Sequence, residues 1–237
     1  MITSIKLIKT GKFVEKWIFK TPLQYGYENR TPHGRNMEAK TPHNILVKIA
    51  TTRAKDKLRR LIIGNIYHYE ERPKFLTLTI KENLTDIQKA NQEFRLFIKR
   101  LTYKLGYKIR YVAVPEFQER GAVHYHVITF NMPYIQATDI ADIWNIGTID
   151  IREINRGNKA FKYIIKYIGA NYTDDRFINK KRYFWSLENG SERHLNQERN
   201  IQRIPESKYL INEYKYNIRG KNNEIVNEAK KSEYLIL

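Results

Sequence analysis

The stretch VPEFQERGAVHYHVITF, residues 114–130, holds two strand patterns separated by the tripeptide ERG at 119–121. Apolar side chains recur on both sides of this tripeptide, which predicts strands over residues 109–118 and 122–130. A three-residue hairpin loop usually combines a type I turn with a residue of positive φ, and Gly121 takes that conformation at the least cost. The sequence therefore predicts an antiparallel hairpin.

The length of this loop sets the pairing of the two strands. If Gln118 and Ala122 close the loop, each step back along the first strand is matched by one step forward along the second. This pairing places Glu116 directly opposite His124. Because side chains alternate along a strand, His126 shares the face of His124, and Glu116 joins them from the neighbouring strand. One carboxylate and two imidazoles are predicted to converge.

Glu116, His124 and His126 offer ligands that suit a divalent metal ion. Neutral imidazole and carboxylate both bind such ions, and three protein ligands leave positions for water or a phosphate oxygen. The alternative interpretation is that the two histidines are ordinary half-buried strand residues, since histidine is intermediate in burial.

The charge of the chain favours a polyanionic partner. Lys and Arg number 43 against 25 Asp and Glu, which gives a formal net charge of +18 over 237 residues. Cations that bind phosphates release condensed counterions, so nucleic acid is the leading partner. Cations cluster at residues 53–60, 99–110 and 179–185, and the last two clusters include aromatic residues that could stack on bases. Each cluster alone could equally be a solvated basic face.

The absence of cysteine excludes disulfides, thiolate metal sites and cysteine nucleophiles. Four lysines interrupt residues 1–20, and no apolar run reaches the length of about 18 residues that a membrane span needs. We expect a soluble protein of the cytoplasm that does not associate with membranes.

The order of the predicted elements indicates an α+β fold with a central antiparallel β-sheet and helices packed on one face. Outside the hairpin described above, the predicted elements are a β-hairpin at the start of the chain, a loop over residues 21–44, helices over 44–64, 85–105, 134–145 and 157–169, and strands over 74–80 and 147–154. Beyond residue 171 the pattern weakens. We therefore expect three segments, a basic N-terminal extension (1–72), a core domain (73–172) and a C-terminal extension with a DNA-binding or accessory role (173–237).

The sequence KAFKYIIKYIG, which begins at Lys159, predicts an amphipathic helix with tyrosines at the border of its apolar face. Tyr163 and Tyr167 lie one turn apart on the same side, and Lys159, Lys162 and Lys166 lie opposite the apolar residues. A border tyrosine usually packs in the core with its hydroxyl in water. Beside a metal site, such a tyrosine could instead attack a phosphodiester, with Lys166 stabilising the negative charge that develops.

These motifs resemble those of the HUH endonucleases, the replication initiators of rolling-circle plasmids and small single-stranded DNA phages. Three motifs occur in the family's order over residues 73–172: the apolar-threonine strand FLTLTI, the His-hydrophobic-His strand HYH and the Tyr-x-x-Lys helix. The stretch EFQERGAVHYH is similar to the Glu-x-x-x-Arg-Gly-x-x-His-x-His pattern of phage-type and plasmid-type initiators. The resemblance implies the nuclease fold of this family, which derives from a ferredoxin-like arrangement.

The resemblance also implies an activity and a set of roles. Family members nick one DNA strand at an origin with Mg²⁺ or Mn²⁺, and a tyrosine attacks the phosphate to leave a 5′-phosphotyrosyl link and a free 3′-hydroxyl. On this basis Glu116, His124 and His126 are metal ligands, and Tyr163 or Tyr167 is the nucleophile.

The choice between the two tyrosines stays open. The Tyr-x-x-Lys form points to Tyr163 with Lys166. In phage-type members two tyrosines one turn apart alternate, and a lysine usually follows the second by three residues. Here that position after Tyr167 holds Ala170, which weakens the two-tyrosine interpretation.

The leading hypothesis is a rolling-circle initiator that nicks and rejoins single-stranded DNA at an origin hairpin in a bacterial host cell. The same chemistry serves single-strand transposases and relaxases, and a non-catalytic nucleic-acid-binding module is the alternative from a different class. Lys159, Lys162 and Arg120 are expected to contact DNA. Because no Gly-Lys-Ser/Thr phosphate-binding loop occurs, we expect a host helicase to unwind the DNA and a host polymerase to extend the 3′-hydroxyl.

Overall fold

The computed structural model describes residues 2–10, 12–24, 43–154, 174–177, 180–187, 208–219 and 224–236. In chain order the elements are β1 (Ile2–Thr10), β2 (Phe13–Gln24), α1 (His43–Ile66), β3 (Lys74–Thr79), α2 (Ile87–Leu105), β4 (Tyr111–Phe117), β5 (Val123–Thr129), α3 (Ala137–Trp144), β6 (Ile149–Glu153), β7 (Phe184–Ser186), β8 (Lys208–Arg219) and β9 (Ile225–Ile236). The strands form two antiparallel sheets, so the predicted α+β class is confirmed. The predicted helix over 157–169 lies outside the described residues.

The chain divides into two compact units, one of Met1–Thr52 with Glu192–Leu237 and one of Arg53–Ser191. The second unit contains a five-stranded sheet in the order β6-β3-β5-β4-β7, with every neighbouring pair antiparallel. The functional roles expected for the segments 1–72 and 173–237 stay predictions.

Helices α2 and α3 pack on one face of the five-stranded sheet. The buried side chains of this layer come from both helices and from strands β3, β4 and β5, namely Leu76, Leu78, Ala90, Phe94, Phe97, Leu101, Ala113, Val123, Tyr125, Val127, Ile140 and Trp144. Trp144, at the end of α3, is 1% exposed and donates from its indole Nε1 to the carbonyl of Thr79 over 2.9 Å. Packing thus fixes the position at which β3 ends.

The ends of α2 follow from local chemistry. The side chain of Asp86 accepts hydrogen bonds from the backbone N–H groups of Gln88 and Lys89, as an N-cap aspartate does. Gly106 ends the helix in the left-handed conformation, and its N–H bonds to the carbonyl of Thr102. The predicted start and stop of this helix are confirmed.

The other helices differ from prediction only at their ends. Helix α1 runs from His43 to Ile66 where 44–64 was predicted. Helix α3 begins at Ala137 and not at residue 134, because Gln136 has an extended backbone (φ −61°, ψ 142°) and is the N-cap. None of the described helices is long and apolar enough to span a membrane.

The first unit contains a four-stranded sheet in the order β1-β2-β9-β8. Strands β1 and β2 form the hairpin predicted for the start of the chain, with Thr10 opposite Phe13. Strand β2 also pairs with β9, so that Lys16 lies opposite Ser232. Two segments from opposite ends of the sequence therefore form one sheet, which the weak pattern beyond residue 171 did not predict.

Candidate metal centre

The loop between β4 and β5 has the predicted length and conformation. Gln118 donates its N–H to the carbonyl of Ala122 over 2.8 Å, and Gly121 donates to the carbonyl of Gln118 over 2.8 Å. Gly121 has a φ of 90°, a conformation that residues with a side chain rarely adopt. The observed pairing places Glu116 opposite His124, as the loop length predicts.

The side chains of Glu116, His124 and His126 converge on one face of the sheet. Oε2 of Glu116 lies 2.7 Å from Nε2 of His124 and 2.5 Å from Nε2 of His126. The nearest ligand atoms of the three residues all lie within 4.8 Å of one another, so the group could hold a metal ion. The side chains are 20%, 14% and 7% exposed, respectively, so a ligand could approach a site that is largely shielded from water.

The group is electrostatically self-consistent without an ion. Burial disfavours the charged form of Glu116, but hydrogen bonds and positive charge from His124 and His126 outweigh burial. They hold the pKa of the Glu116 carboxyl well below its ordinary value. The carboxylate is therefore ionised at neutral pH, which is the form that binds a cation.

Neighbouring side chains fix the rings of the two histidines. The ring of Phe75 on β3 stacks on His126 with the ring centres 5.6 Å apart. The hydroxyl of Thr77, which is paired with His126 across the sheet, lies 3.5 Å from Nδ1 of that ring. Sequence analysis singled out this apolar-threonine strand but gave Thr77 no role. The alternation of FLTLTI, together with the strand pairing, is the signal that places Thr77 beside the site.

Tyr125, between the two histidines in sequence, points to the opposite face of the sheet. Its ring stacks on Phe94 of α2, and its hydroxyl donates to Oδ1 of Asn91 over 2.8 Å. Burial raises the pKa of the Tyr125 phenol far above its ordinary value. Tyr125 therefore anchors β5 to α2 and takes no part in the site.

Arg120, expected to contact DNA, makes hydrogen bonds within the protein. Its guanidinium donates to the carbonyl of Ile80 over 2.8 Å, to the carbonyl of Lys81 over 3.5 Å and to Oε1 of Gln118 over 3.0 Å. These bonds tie the hairpin loop to the end of β3. Arg120 and Lys81 also line an open cavity of about 860 Å³ beside Gly147, so contact with DNA stays a prediction for Arg120.

The other predicted site residues lie outside the described part of the chain. These are the two candidate nucleophiles and the three lysines of the same predicted helix, Tyr163, Tyr167, Lys159, Lys162 and Lys166. Their roles stay predictions.

Residues 73–172 match a family model described as replication-associated protein ORF2. The matched segment includes β3 to β6 and all three residues of the metal group. The match is consistent with a replication-associated protein of the rolling-circle type. The sequence has no significant match among curated proteins or among solved structures.

Proposed function

We propose that this chain is a rolling-circle replication initiator that nicks and rejoins single-stranded DNA at an origin. The observation that carries the proposal is the convergence of Glu116, His124 and His126 within the segment that matches replication-associated proteins. The net charge of +18 suits a DNA substrate.

Glu116, His124 and His126 would hold a divalent ion, Mg²⁺ or Mn²⁺, since one carboxylate oxygen and two imidazole nitrogens suit such ions. When bound, the ion would polarise the scissile phosphate. Phe75 and Thr77 orient the ring of His126 toward this group and so prepare the ligand geometry.

The phenol oxygen of Tyr163 or Tyr167 is the proposed nucleophile. It forms a bond to phosphorus, the bond from phosphorus to the 3′ oxygen breaks, and that oxygen leaves as a 3′-hydroxyl after taking up a proton. The product is a 5′-phosphotyrosine ester, and the reverse reaction rejoins the strand. Lys166 would stabilise the phenolate or the leaving oxygen.

The first test detects the covalent product without knowledge of the origin. The full-length protein is incubated with a library of labelled single strands and Mn²⁺, and protein–DNA adducts that survive denaturation are recovered and sequenced. We expect adduct that disappears with EDTA. The double variant Tyr163→Phe/Tyr167→Phe should form none, each single variant shows which tyrosine reacts, and Tyr103→Phe, an exposed tyrosine on α2, is the matched control.

A second test separates metal binding from chemistry. Calorimetric titration with Mn²⁺ should show at least about tenfold weaker binding for Glu116→Ala than for wild type, while the loop variant Glu119→Ala should bind like wild type. An adduct that persists in the double tyrosine variant refutes the nucleophile assignment. DNA binding without adduct in any metal would instead support a non-catalytic binding module.

A further inference from the structure

One face of the four-stranded sheet carries a row of aromatic rings, which we call the β8 aromatic face. It consists of Tyr209, Tyr214 and Tyr216 on β8 and Trp17 on β2. The pairing places Tyr214 beside Lys231 and Lys231 beside Trp17, so these side chains occupy one row of one face. Tyr216 lies in the next row, and Tyr209 is farther along the same face.

The rings contact one another and remain accessible. The ring centres of Trp17 and Tyr216 are 5.3 Å apart, and those of Tyr214 and Tyr216 are 6.1 Å apart. Tyr209 is 61% exposed and Tyr216 is 39% exposed, whereas Trp17 and Tyr214 are half-buried. The face thus combines supported rings with open ring surface.

A buried ion group supports this face from within the sheet. Nζ of Lys231 lies 5.1 Å from the ring centre of Trp17, and it also lies 2.8 Å from Oε1 of Glu15 and 2.9 Å from Oε1 of Glu233. The side chains of these three charged residues are 6% exposed or less. Fixed charges of this kind hold Trp17 in one position, so a ligand would meet a pre-arranged surface.

Cations alternate with the tyrosines along the same strand. Strand β8 lies at the edge of the described sheet and carries Lys208, Lys215 and Arg219, all exposed. Its acidic residue, Glu213, is neutralised by Lys230 at 2.9 Å. Aromatic rings interleaved with cations on a strand are the features that bind single-stranded nucleic acid, because unpaired bases offer ring faces and the backbone offers phosphates.

We propose that the β8 aromatic face binds single-stranded DNA, with bases stacked on Tyr214, Tyr216 and Tyr209. Phosphates would lie against Lys208, Lys215 and Arg219 at the edge. This is a DNA contact on a different sheet from the metal group. The choice of DNA rests on the proposed function, since the strand held here would belong to the same substrate.

The test measures DNA binding in the absence of metal and of the metal ligand. Every variant carries Glu116→Ala and is titrated in EDTA with a labelled oligothymidine about 16 nucleotides long, with fluorescence anisotropy as the readout. We expect Tyr214→Ala/Tyr216→Ala to bind at least about tenfold more weakly. Tyr214→Phe/Tyr216→Phe should restore binding, because phenylalanine keeps the stacking surface. Tyr103→Ala, which removes a tyrosine that is 90% exposed on α2, should bind normally.

Photocrosslinking locates the contact directly. An oligonucleotide containing 5-iodouracil should crosslink to the tyrosines of β8 in peptides identified by mass spectrometry. Unchanged affinity in the alanine variant, or crosslinks confined to other segments, would overturn the proposal. It would also be overturned by tighter binding to duplex DNA or to oligouridine. A wild-type dimer that Tyr214→Ala/Tyr216→Ala converts to a monomer would assign the face to a second copy of the chain.

The outcome is independent of the nicking test. Loss of oligothymidine binding together with absence of any adduct would leave the β8 aromatic face supported and the nuclease proposal refuted. Adduct formation with unchanged binding in the alanine variant would have the opposite meaning.

Discussion

Thr77 matters because a metal ion would change the proton pattern of His126. With Glu116 ionised, the short contact to Nε2 of His126 requires a proton on Nε2, so Nδ1 accepts from the Thr77 hydroxyl. A bound ion would take the lone pair of Nε2, and Nδ1 would then carry the proton and donate. A hydroxyl can play either part, because it both donates and accepts.

Replacement of Thr77 by valine should therefore weaken metal binding while the packing is kept. We expect Mn²⁺ affinity to fall by about tenfold, the lower end for loss of a partner to a metal-bound histidine. The measurement is calorimetric titration, and Thr77→Ser, which keeps the hydroxyl, is the control. Equal affinity for the valine and serine variants would show that the hydroxyl has no part in binding.

At the scale of residues, sequence analysis located what local geometry controls. The three-residue loop was sufficient to pair Glu116 with His124, because the turn and both strands are contiguous in sequence. Thr77 and Arg120 were beyond its reach. Their partners lie about 40 to 50 residues away in sequence, and only the pairing of β3 with β5 brings them together.

The end of β3 and the loop before β6 approach each other too closely for a side chain. A Cβ at Gly147 would overlap the carbonyl oxygen of Thr79 and would lie 2.9 Å from the nitrogen of Lys81. Both contacts involve backbone, and the backbone here is held by hydrogen bonds from Thr79 to Thr148 and from Lys81 to Ile146. Neither segment can move without loss of these bonds.

Gly147→Ala should therefore destabilise the Arg53–Ser191 unit by about 2–3 kcal/mol, the range for overpacked interiors. Gly106→Ala is the comparison, since its left-handed backbone has open space around it, and its cost should be about 1 kcal/mol. Urea unfolding measures both. A smaller loss for Gly147→Ala than for Gly106→Ala would contradict the steric argument.

The elements differ in how far local sequence controls them. Helix α2 was predictable because Asp86, Gly106 and the apolar stripe all indicate the same segment. Strands β8 and β9 were not, because Lys231 and Glu233 are buried where an alternating pattern requires apolar residues. Their burial depends on Glu15 near the other end of the chain, so the local pattern does not reveal it.

Lys231→Met should destabilise the four-stranded sheet strongly. Removal of the ammonium leaves Glu15 and Glu233 buried beside each other without a cation, which costs about 3–5 kcal/mol in unfolding free energy. Lys104→Met, which breaks an exposed pair with Asp139, should cost less than about 1 kcal/mol. Denaturant unfolding distinguishes the two, and similar losses would refute the role of the buried group.

The same lysine gives the sheet a pH dependence in the alkaline range. Burial lowers the pKa of the Lys231 ammonium, but Glu15 and Glu233 outweigh burial and raise this pKa above its ordinary value of 10.5. The ammonium therefore stabilises the folded state fully below pH 10.5, and this stabilisation is lost as the pH rises through the raised pKa. Lys231→Met should lack this alkaline loss of stability.

At the scale of the whole molecule, the chain enters the first unit, forms the second, and returns to complete the first. Strand β2 is central to its sheet, with β1 on one side and β9 on the other. The five-stranded sheet with the metal group uses only strands between Lys74 and Ser186. The two units should therefore respond differently to loss of the C-terminal strands.

Deletion of residues 208–237 removes β8 and β9 and leaves β1 and β2 as an isolated hairpin. Such a hairpin is marginally stable in water, so the backbone amides of β1 and β2 should exchange with solvent much faster than in the full chain. The Arg53–Ser191 unit should keep its protected amides and its affinity for Mn²⁺. Hydrogen exchange followed by mass spectrometry measures the protection and calorimetric titration the affinity, and unchanged protection of β2 would contradict this view of the sheet.

The pairing of β2 with β9 also sets an order of events during synthesis. Strand β7 ends at Ser186, whereas β9 ends at Ile236, roughly 50 residues later. At about 5–20 residues per second, this interval lasts about 3–10 s. Throughout it the edge of β2 has no partner strand and could pair with another nascent chain. The hazard of misassembly on the ribosome thus falls on the first strands made, while the strands that carry Glu116 and the two histidines have already been synthesised.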